Sequence, residues 1–311
     1  MTRDHGGGLD AAIATYGGAR ADWLDLSTGI NPVPYPLVAP AAESWTALPD
    51  SGAMNRLLDA ARAFWAVPRG ARIIAASGAS TLIARMPALV PPGMVHIPGP
   101  TYNEHAAAFA AAGHRVYPDT MAPVHVLVHP NNPDGRLWPA SALGDRSLTV
   151  VDESFCDVTS GESHVARADK AGLLILKSFG KFWGLAGLRL GFAIGPDALI
   201  DRLAEFVGPW AVSGPAITIG TAALSDHGWA RTTRARLETD AARLDALMIR
   251  RGASVVGGTT LFRLYEVDDA LRWQDRLAEG HVWSRVFPYS GTWLRLGLPA
   301  PDRWNQLEEA L

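Results

Sequence analysis

The sequence predicts an α/β protein: a mostly parallel central sheet with helices on both faces, plus a smaller α+β domain. Three observations point there. Short continuous apolar segments recur, each closed by a Gly- or Pro-rich turn. Helix-forming stretches alternate with them, the arrangement of strands buried on both faces. The C-terminal third then changes to strand-like pieces that end in a helix.

Taken in order, the first ~45 residues are rich in Gly and Pro, and Asn31-Pro32-Val33-Pro34-Tyr35-Pro36 reads as an extended arm. A helix over Met54–Trp65 opens the regular part. Strands are expected at 72–76, 94–97, 125–128, 148–151 and 172–176, with an alanine-rich helix over 104–112 between two of them. A long helical region runs from Pro196 to Arg250. Strand-like pieces follow at 260–267, 281–286 and 292–298, and a last helix starts near Pro301. The expected division is an N-terminal arm, 1–45, contributing to the small domain, a large domain, 46–210, and a small domain, 211–311.

Composition excludes several classes. With 311 residues, 48% of them hydrophobic, the chain can bury a large core. A net charge of −3, with both signs scattered, gives no footprint for nucleic acid or an anionic membrane surface. The single cysteine, Cys156, cannot form an internal disulfide and fits a reducing compartment. The start, Met1 to Asp10, is polar and Gly-rich, and no apolar run approaches the ~20 residues needed to span a bilayer. A cytoplasmic protein is expected. Histidines 96, 105, 114, 125 and 129 suit no zinc spacing and read as satisfied surface or core-edge residues, so no metal site is expected. Only three lysines, Lys170, Lys177 and Lys181, stand among 28 basic residues, so imine-forming chemistry has three candidate amines.

Ligands of open parallel sheets sit beyond the carboxyl ends of the strands. After the strand at 72–76 comes Ser77-Gly78-Ala79-Ser80-Thr81, either a phosphate-binding helix start or a plain serine cap. After 125–128 comes Asn131-Asn132-Pro133-Asp134-Gly135, a turn that needs no function to explain it. Asp152 ends the next strand, where a carboxylate is idle or pairs with a protonated ring nitrogen. The strand at 172–176 leads into Ser178-Phe179-Gly180-Lys181-Phe182-Trp183-Gly184, and then Arg189. A lysine on a Gly-flanked turn beside Phe182 and Trp183 is placed to become nucleophilic through desolvation, with Trp183 as a pocket wall. Ser178 and Arg189 suit a phosphate. Ser178-x-x-Lys181 also matches a serine-nucleophile motif, but the Lys-Thr-Gly element that must accompany it is absent.

The ordered set Ser77-Gly78-Ala79-Ser80, Tyr102, Asn132-Pro133-x-Gly135, Asp152, Ser178-x-x-Lys181 and Arg189 resembles the fold-type-I enzymes of the class I/II aminotransferase family, which use pyridoxal phosphate (PLP). The match runs from the N-terminal arm to Arg295. The resemblance implies that Lys181 carries PLP as a Schiff base, Asp152 pairs with the ring nitrogen, Asn132 bonds the phenolic oxygen and Tyr102 stacks on the ring. Ala79, Ser80, Ser178 and Arg189 would hold the cofactor phosphate, and Arg295 the substrate carboxylate. It also implies a homodimer. Two departures stand out: Phe155 where many relatives have Tyr, and Leu48-Pro49-Asp50 where a Tyr often precedes Pro-Asp.

His5-Gly6-Gly7-Gly8, together with Asp25-Leu26-Ser27-Thr28-Gly29-Ile30-Asn31-Pro32, is similar to the opening of decarboxylases of L-threonine O-3-phosphate that serve cobalamin biosynthesis. Histidinol-phosphate aminotransferases are the cousins and the alternative reading. A small phosphorylated amino acid is the implied substrate, with His5, Gly6, Gly7, Asn31, Asn132, Arg285 and Arg295 as its candidate contacts. Arg285 and Arg295 divide carboxylate and phosphate in an order the sequence leaves open.

Overall fold

The structure, a computed structural model, describes residues 5–311; Met1–Asp4, part of the polar start, lie outside the described residues. In chain order come α1 (Leu9–Tyr16), β1 (Leu24–Asp25), α2 (Glu43–Thr46), α3 (Ser51–Phe64), β2 (Arg72–Ala76), α4 (Ala79–Arg85), β3 (Met94–His96), α5 (Asn103–Ala111), β4 (Arg115–Tyr117), β5 (Val124–Val128), β6 (Leu148–Asp152), β7 (Leu173–Ser178) and β8 (Gly191–Gly195). There follow α6 (Asp197–Val207), α7 (Gly214–Ser225), α8 (His227–Arg250), β9 (Ser254–Thr259), β10 (Phe262–Glu266), α9 (Ala270–Glu279), β11 (Val282–Trp283), β12 (Arg285–Phe287), β13 (Ser290–Gly297) and α10 (Trp304–Ala310).

The chain divides into two compact units. The larger holds 35–132 and 137–230; the smaller holds the chain up to 34, together with 133–136 and 231–311. The boundaries expected at 45/46 and 210/211 both fall inside the larger unit. Residues 35–45 belong there because Tyr35 donates its N–H to the Trp183 carbonyl (2.9 Å) and its ring meets Trp183 and Trp229 edge-on. Helix α7 belongs there because it packs on α3, where Gly220 leaves room for the Leu57 and Leu190 side chains.

The larger unit is built on a seven-stranded sheet in the order β2-β8-β7-β6-β5-β3-β4. Strands β4, β3, β5, β6 and β7 are parallel, and β8 runs antiparallel between β7 and β2. Strands β5 and β6 are buried throughout, including His125, Thr149 and Asp152 among their apolar residues. One face packs Val126, Val150, Leu174 and Leu176 against Leu82, Ile83, Phe109 and Leu203 of α4, α5 and α6. Asp50 caps α3 by accepting from the Ala53 N–H at 2.6 Å, and Ser213 caps α7.

The smaller unit carries a four-stranded antiparallel sheet, β12-β13-β10-β9, and a parallel β1–β11 pair. Its first segment differs from the expected arm: Leu9–Tyr16 is a helix whose Leu9 and Ala12 are buried with Trp23 and Ala278. The helical region expected over 196–250 is three helices, with Gly208 closing α6 and Asp226 ending α7. Among the described residues no helix is long and apolar enough to cross a membrane, and no group of His, Cys, Asp and Glu could hold a metal.

Candidate active site

Strands β5, β6 and β7 are parallel, so Val128, Asp152 and Ser178 emerge side by side at one rim of the sheet. There, inside the larger unit, Gly78, Ala79, Ser80, Tyr102, Asn132, Asp152, Ser178, Lys181 and Arg189 line one cleft. Its empty space, open mouth included, is about 730 Å³. All eight cofactor-binding candidates of this unit are therefore brought together.

Asp152 is 2% exposed. Its Oδ1 accepts from the Ser154 hydroxyl (2.5 Å) and the Ser154 N–H (3.0 Å), and its Oδ2 from His105 Nε2 (2.8 Å). Burial pushes the Asp152 carboxyl up, but His105 and Ser154 outweigh it and hold the group below the usual carboxylate range. A carboxylate offers roughly four acceptor directions, so three bonds leave it able to take one more N–H from the cleft. His105 was expected to be a satisfied surface or core-edge residue; it is instead sealed beneath Asp152, with its ring edge-on to Tyr102 at 6.0 Å.

Of the three amines, only Lys181 opens on the cleft. Lys170 is ion-paired with Asp145 at 2.7 Å on the surface, and Lys177 is buried against Glu153 at 2.7 Å. The Lys181 ammonium lies 5.2 Å from the centre of the Phe155 ring. The expected wall of Phe182 and Trp183 is not found: neither lines the cleft. Trp183 is fully buried, stacked between Phe179 (5.1 Å) and Trp229 (5.3 Å), and Phe182 meets both tryptophans edge-on. The tight turn, with Gly184 N–H bonded to Lys181 O at 3.1 Å, sends neighbours in sequence to opposite sides.

Gly78, Gly191 and Arg189 shape a further part of the cleft. Gly78 has φ +84°, and a Cβ there would lie 2.7 Å from Arg189 Nη2. A Cβ on Gly191 would run into the Ala79 backbone N. Glycine at both positions thus lets a guanidinium close over the first turn of α4, with the Ser178 hydroxyl bonded to the Gly180 N–H at 3.3 Å nearby. An acceptor carboxylate at one end, an anion cradle at the other, and an amine with an aromatic side chain between them fit a planar, phosphorylated heterocyclic aldehyde.

The substrate-binding candidates His5, Gly6, Gly7, Asn31, Arg285 and Arg295 belong to the smaller unit. Arg285 and Arg295 are cross-strand partners on β12 and β13. Arg285 Nη1 donates to the His5 carbonyl, and Arg295 Nη2 to the Ser27 carbonyl at 2.5 Å. Burial and the neighbouring Arg285 charge lower the Arg295 pKa to about 10. Gly6 has no room for a Cβ against the Ser27 carbonyl, and the Gly7 N–H, expected as an anion donor, goes to Ser27 Oγ at 2.6 Å. Ser27 in turn donates to Asp25, and the Trp283 indole to the Gly7 carbonyl. The arm is thus tied beside both arginines by Ser27 and Trp283, which the sequence reading had not singled out. Asn31 accepts from Arg236 (2.5 Å) and the Val33 N–H (3.1 Å).

Residues 122–311 match the aminotransferase class I and II family. A threonine-phosphate decarboxylase of Sinorhizobium sp is 41% identical, covering 96% of this chain and 93% of that one. Another, of Pseudomonas aeruginosa, is 38% identical over 99% of this chain and 97% of that one. A histidinol-phosphate aminotransferase of Rhodospirillum rubrum is 32% identical over only 60% of this chain and 55% of its own. Among solved structures, histidinol-phosphate aminotransferase from Sinorhizobium meliloti in complex with pyridoxal-5'-phosphate superposes with a TM-score of 0.82. It is 18% identical and covers 98% of this chain and 93% of that one, a likeness of fold.

Proposed function

The chain belongs to the aminotransferase class I and II family, and from that premise we propose that it is a PLP-dependent carboxy-lyase. Its reaction converts L-threonine O-3-phosphate into (R)-1-amino-2-propanol O-2-phosphate, a step of cobalamin biosynthesis. The observation that carries the choice is coverage: the two threonine-phosphate decarboxylases align over nearly the whole chain, whereas the aminotransferase of Rhodospirillum rubrum aligns over 60%.

PLP, when bound, supplies an aldehyde that condenses with amines and a protonated ring that accepts the electron pair left when a bond at Cα breaks. The residues of this chain do the rest. Asp152, kept ionised by His105 and Ser154, holds a proton on the ring nitrogen. Ala79, Ser80, Ser178 and Arg189 bind the cofactor phosphate; Tyr102 stacks on the ring and Asn132 bonds its phenolic oxygen. Phe155 provides no hydroxyl, so that oxygen relies on Asn132. Lys181 anchors the cofactor and returns a proton to Cα after CO₂ leaves. Arg285 and Arg295 take the substrate's two anions and orient the carboxylate for cleavage, since bidentate Arg–anion contacts are directional. The His5–Gly7 arm lies over those arginines.

The same reading includes a cytoplasmic homodimer. Leu37, Trp45, Leu48 and Trp210, all in the larger unit, are more than half exposed, large apolar side chains that a second copy would cover. Light scattering in solution tests that assembly. The activity is tested by supplying threonine phosphate and measuring CO₂, then histidinol phosphate with 2-oxoglutarate and measuring glutamate. Carbon dioxide without glutamate is the expected result; glutamate alone reverses the assignment to the aminotransferase.

A further inference from the structure

Behind the cleft lies a buried ionic cluster that the chemistry above does not use. Side chains alternate across a strand, so the sequence neighbours of Asp152 and Ser178, Glu153 and Lys177, reach the opposite face of the sheet. There Lys177 Nζ lies 2.7 Å from Glu153 Oε2 and 3.2 Å from Asp157 Oδ1, with Lys177 1% exposed. The remaining capacity is filled from other elements of the same unit. Ser163 Oγ donates to Glu153 Oε2 (2.6 Å), the His164 N–H to Glu153 Oε1 (2.6 Å), and the Trp65 indole, just after α3, to Asp157 Oδ1 (2.9 Å).

Such a cluster is weak support for stability, because apolar residues of similar volume often serve as well or better. Its distinctive property is direction. Apart from Thr149, Asp152, Lys177 and Ser178, strands β6 and β7 are apolar, and they are buried on both faces, so their apolar residues alone do little to distinguish one pairing register from the next. A salt bridge between Glu153 and Lys177 does distinguish them, because it forms in one register alone. That register bonds the Glu153 N–H to the Leu176 carbonyl (3.0 Å). Each partner is one residue from a group that lines the cleft.

We propose that Lys177, bridged to Glu153 and Asp157, is a positioning residue that fixes Asp152 against Ser178 and thereby sets the geometry in which the cleft receives its cofactor. The inference rests on the PLP reading of the cleft. It assigns Lys177 no contact with cofactor or substrate.

The test uses the full-length protein, stripped of cofactor and titrated with PLP by visible absorbance, with thermal unfolding followed in parallel. The triple variant Glu153→Gln/Asp157→Asn/Lys177→Met removes all three charges together and leaves no buried ion unpaired. It should unfold near the wild-type temperature yet bind PLP about tenfold or more weakly, in the range of lost outer contacts, with its visible band displaced at fixed pH. A folded triple variant with PLP affinity within twofold of wild type and an unchanged band overturns the proposal. If the triple variant does not fold, Asp157→Asn carries the test: weaker PLP binding supports positioning, and unchanged binding overturns it. Failure of both variants to fold makes the cluster structural and also overturns it. Wild-type protein that gives no visible band with PLP instead removes the functional reading, and this inference with it.

Discussion

His105 Nε2 lies 2.8 Å from Asp152 Oδ2, and both side chains are sealed from solvent. Burial raises the Asp152 carboxyl and His105 and Ser154 lower it, so removing His105 leaves burial opposed by Ser154 alone. Asp152 would then take up a proton at a higher pH, and the acid limb of the kcat profile should move upward in His105→Ala. The loss at neutral pH should be about 10–100-fold, the usual effect of removing a group that orients another. Asp152→Asn removes the charge itself and should lower kcat by about 10²–10³-fold. Steady-state rates across the acid range check both; an unmoved acid limb in His105→Ala would refute the coupling.

Lys181 is the one amine in the cleft, with Lys170 and Lys177 committed to carboxylates elsewhere. Lys181→Ala should bind PLP without the Schiff-base band near ~420 nm, and borohydride reduction of the wild type should label Lys181 alone. Peptide mass spectrometry after reduction reads this directly. Label on Lys177 would contradict the assignment.

Gly78 serves the anion cradle twice, through its φ of +84° and through the space it leaves for Arg189. Gly78→Ala introduces about 1–3 kcal/mol of backbone strain, because φ +84° with ψ 158° is a conformation only glycine adopts readily, and it pushes a methyl group against the guanidinium. Thermal stability should fall modestly, and PLP affinity should fall at least tenfold, because the displaced guanidinium is the group proposed to hold the cofactor phosphate. Equal losses in Gly78→Ala and in a surface Gly→Ala control such as Gly252, whose Cβ meets nothing, would assign the effect to strain alone.

Arg285 and Arg295 are cross-strand partners that donate to the His5 and Ser27 carbonyls, so two guanidinium groups meet on one patch of the smaller unit. Alanine at either position should raise KM for threonine phosphate, with a loss of about 2–5 kcal/mol in kcat/KM if the charge pair is desolvated. Inhibition by inorganic phosphate then separates the roles. The arginine whose loss abolishes that inhibition is the one that holds the substrate phosphate.

Much of this was legible in the chain. Apolar runs marked β2, β3, β5, β6 and β7, and the spacing from Ser178 through Lys181 to Arg189 marked the heart of the cleft. What escaped has physical reasons. Strand β8, Gly191–Gly195, is two glycines around three residues and sits directly behind a loop, so it carries no turn signal of its own. Strand β4 is an exposed edge of three residues, without the burial that makes a pattern. Trp183 was misplaced because adjacency to Lys181 on a tight turn says nothing about which side a ring takes. His105 was passed over because its partner, Asp152, lies 47 positions away and only the pairing of sheet and helix brings them together.

The Lys177–Glu153 bridge makes a last prediction, about pH. Burial would push the Glu153 carboxyl up, but Lys177, Ser163 and the His164 N–H hold it below its usual range. Its contribution to stability is therefore complete above the unfolded value of about 4.3 and is lost as pH falls through the lower, folded value. For Lys177, burial acts to lower the pKa, and Glu153 and Asp157 overcome it and raise it above its usual range. That contribution is complete below about 10.4 and is lost only as pH rises through the folded value. Glu153→Gln leaves the buried Lys177 ammonium with Asp157 as its remaining carboxylate and should destabilise the protein at pH 7 by less than the ~3–5 kcal/mol of a fully unpaired buried charge, yet by more than the triple variant that removes every charge. Urea titrations at pH 7 and at successively lower pH should show the gap between Glu153→Gln and wild type narrowing below about pH 4, as protonation takes the same contact from the wild type. A gap that stays constant through that range would mean the carboxylate at 153 contributes no charge to the folded state.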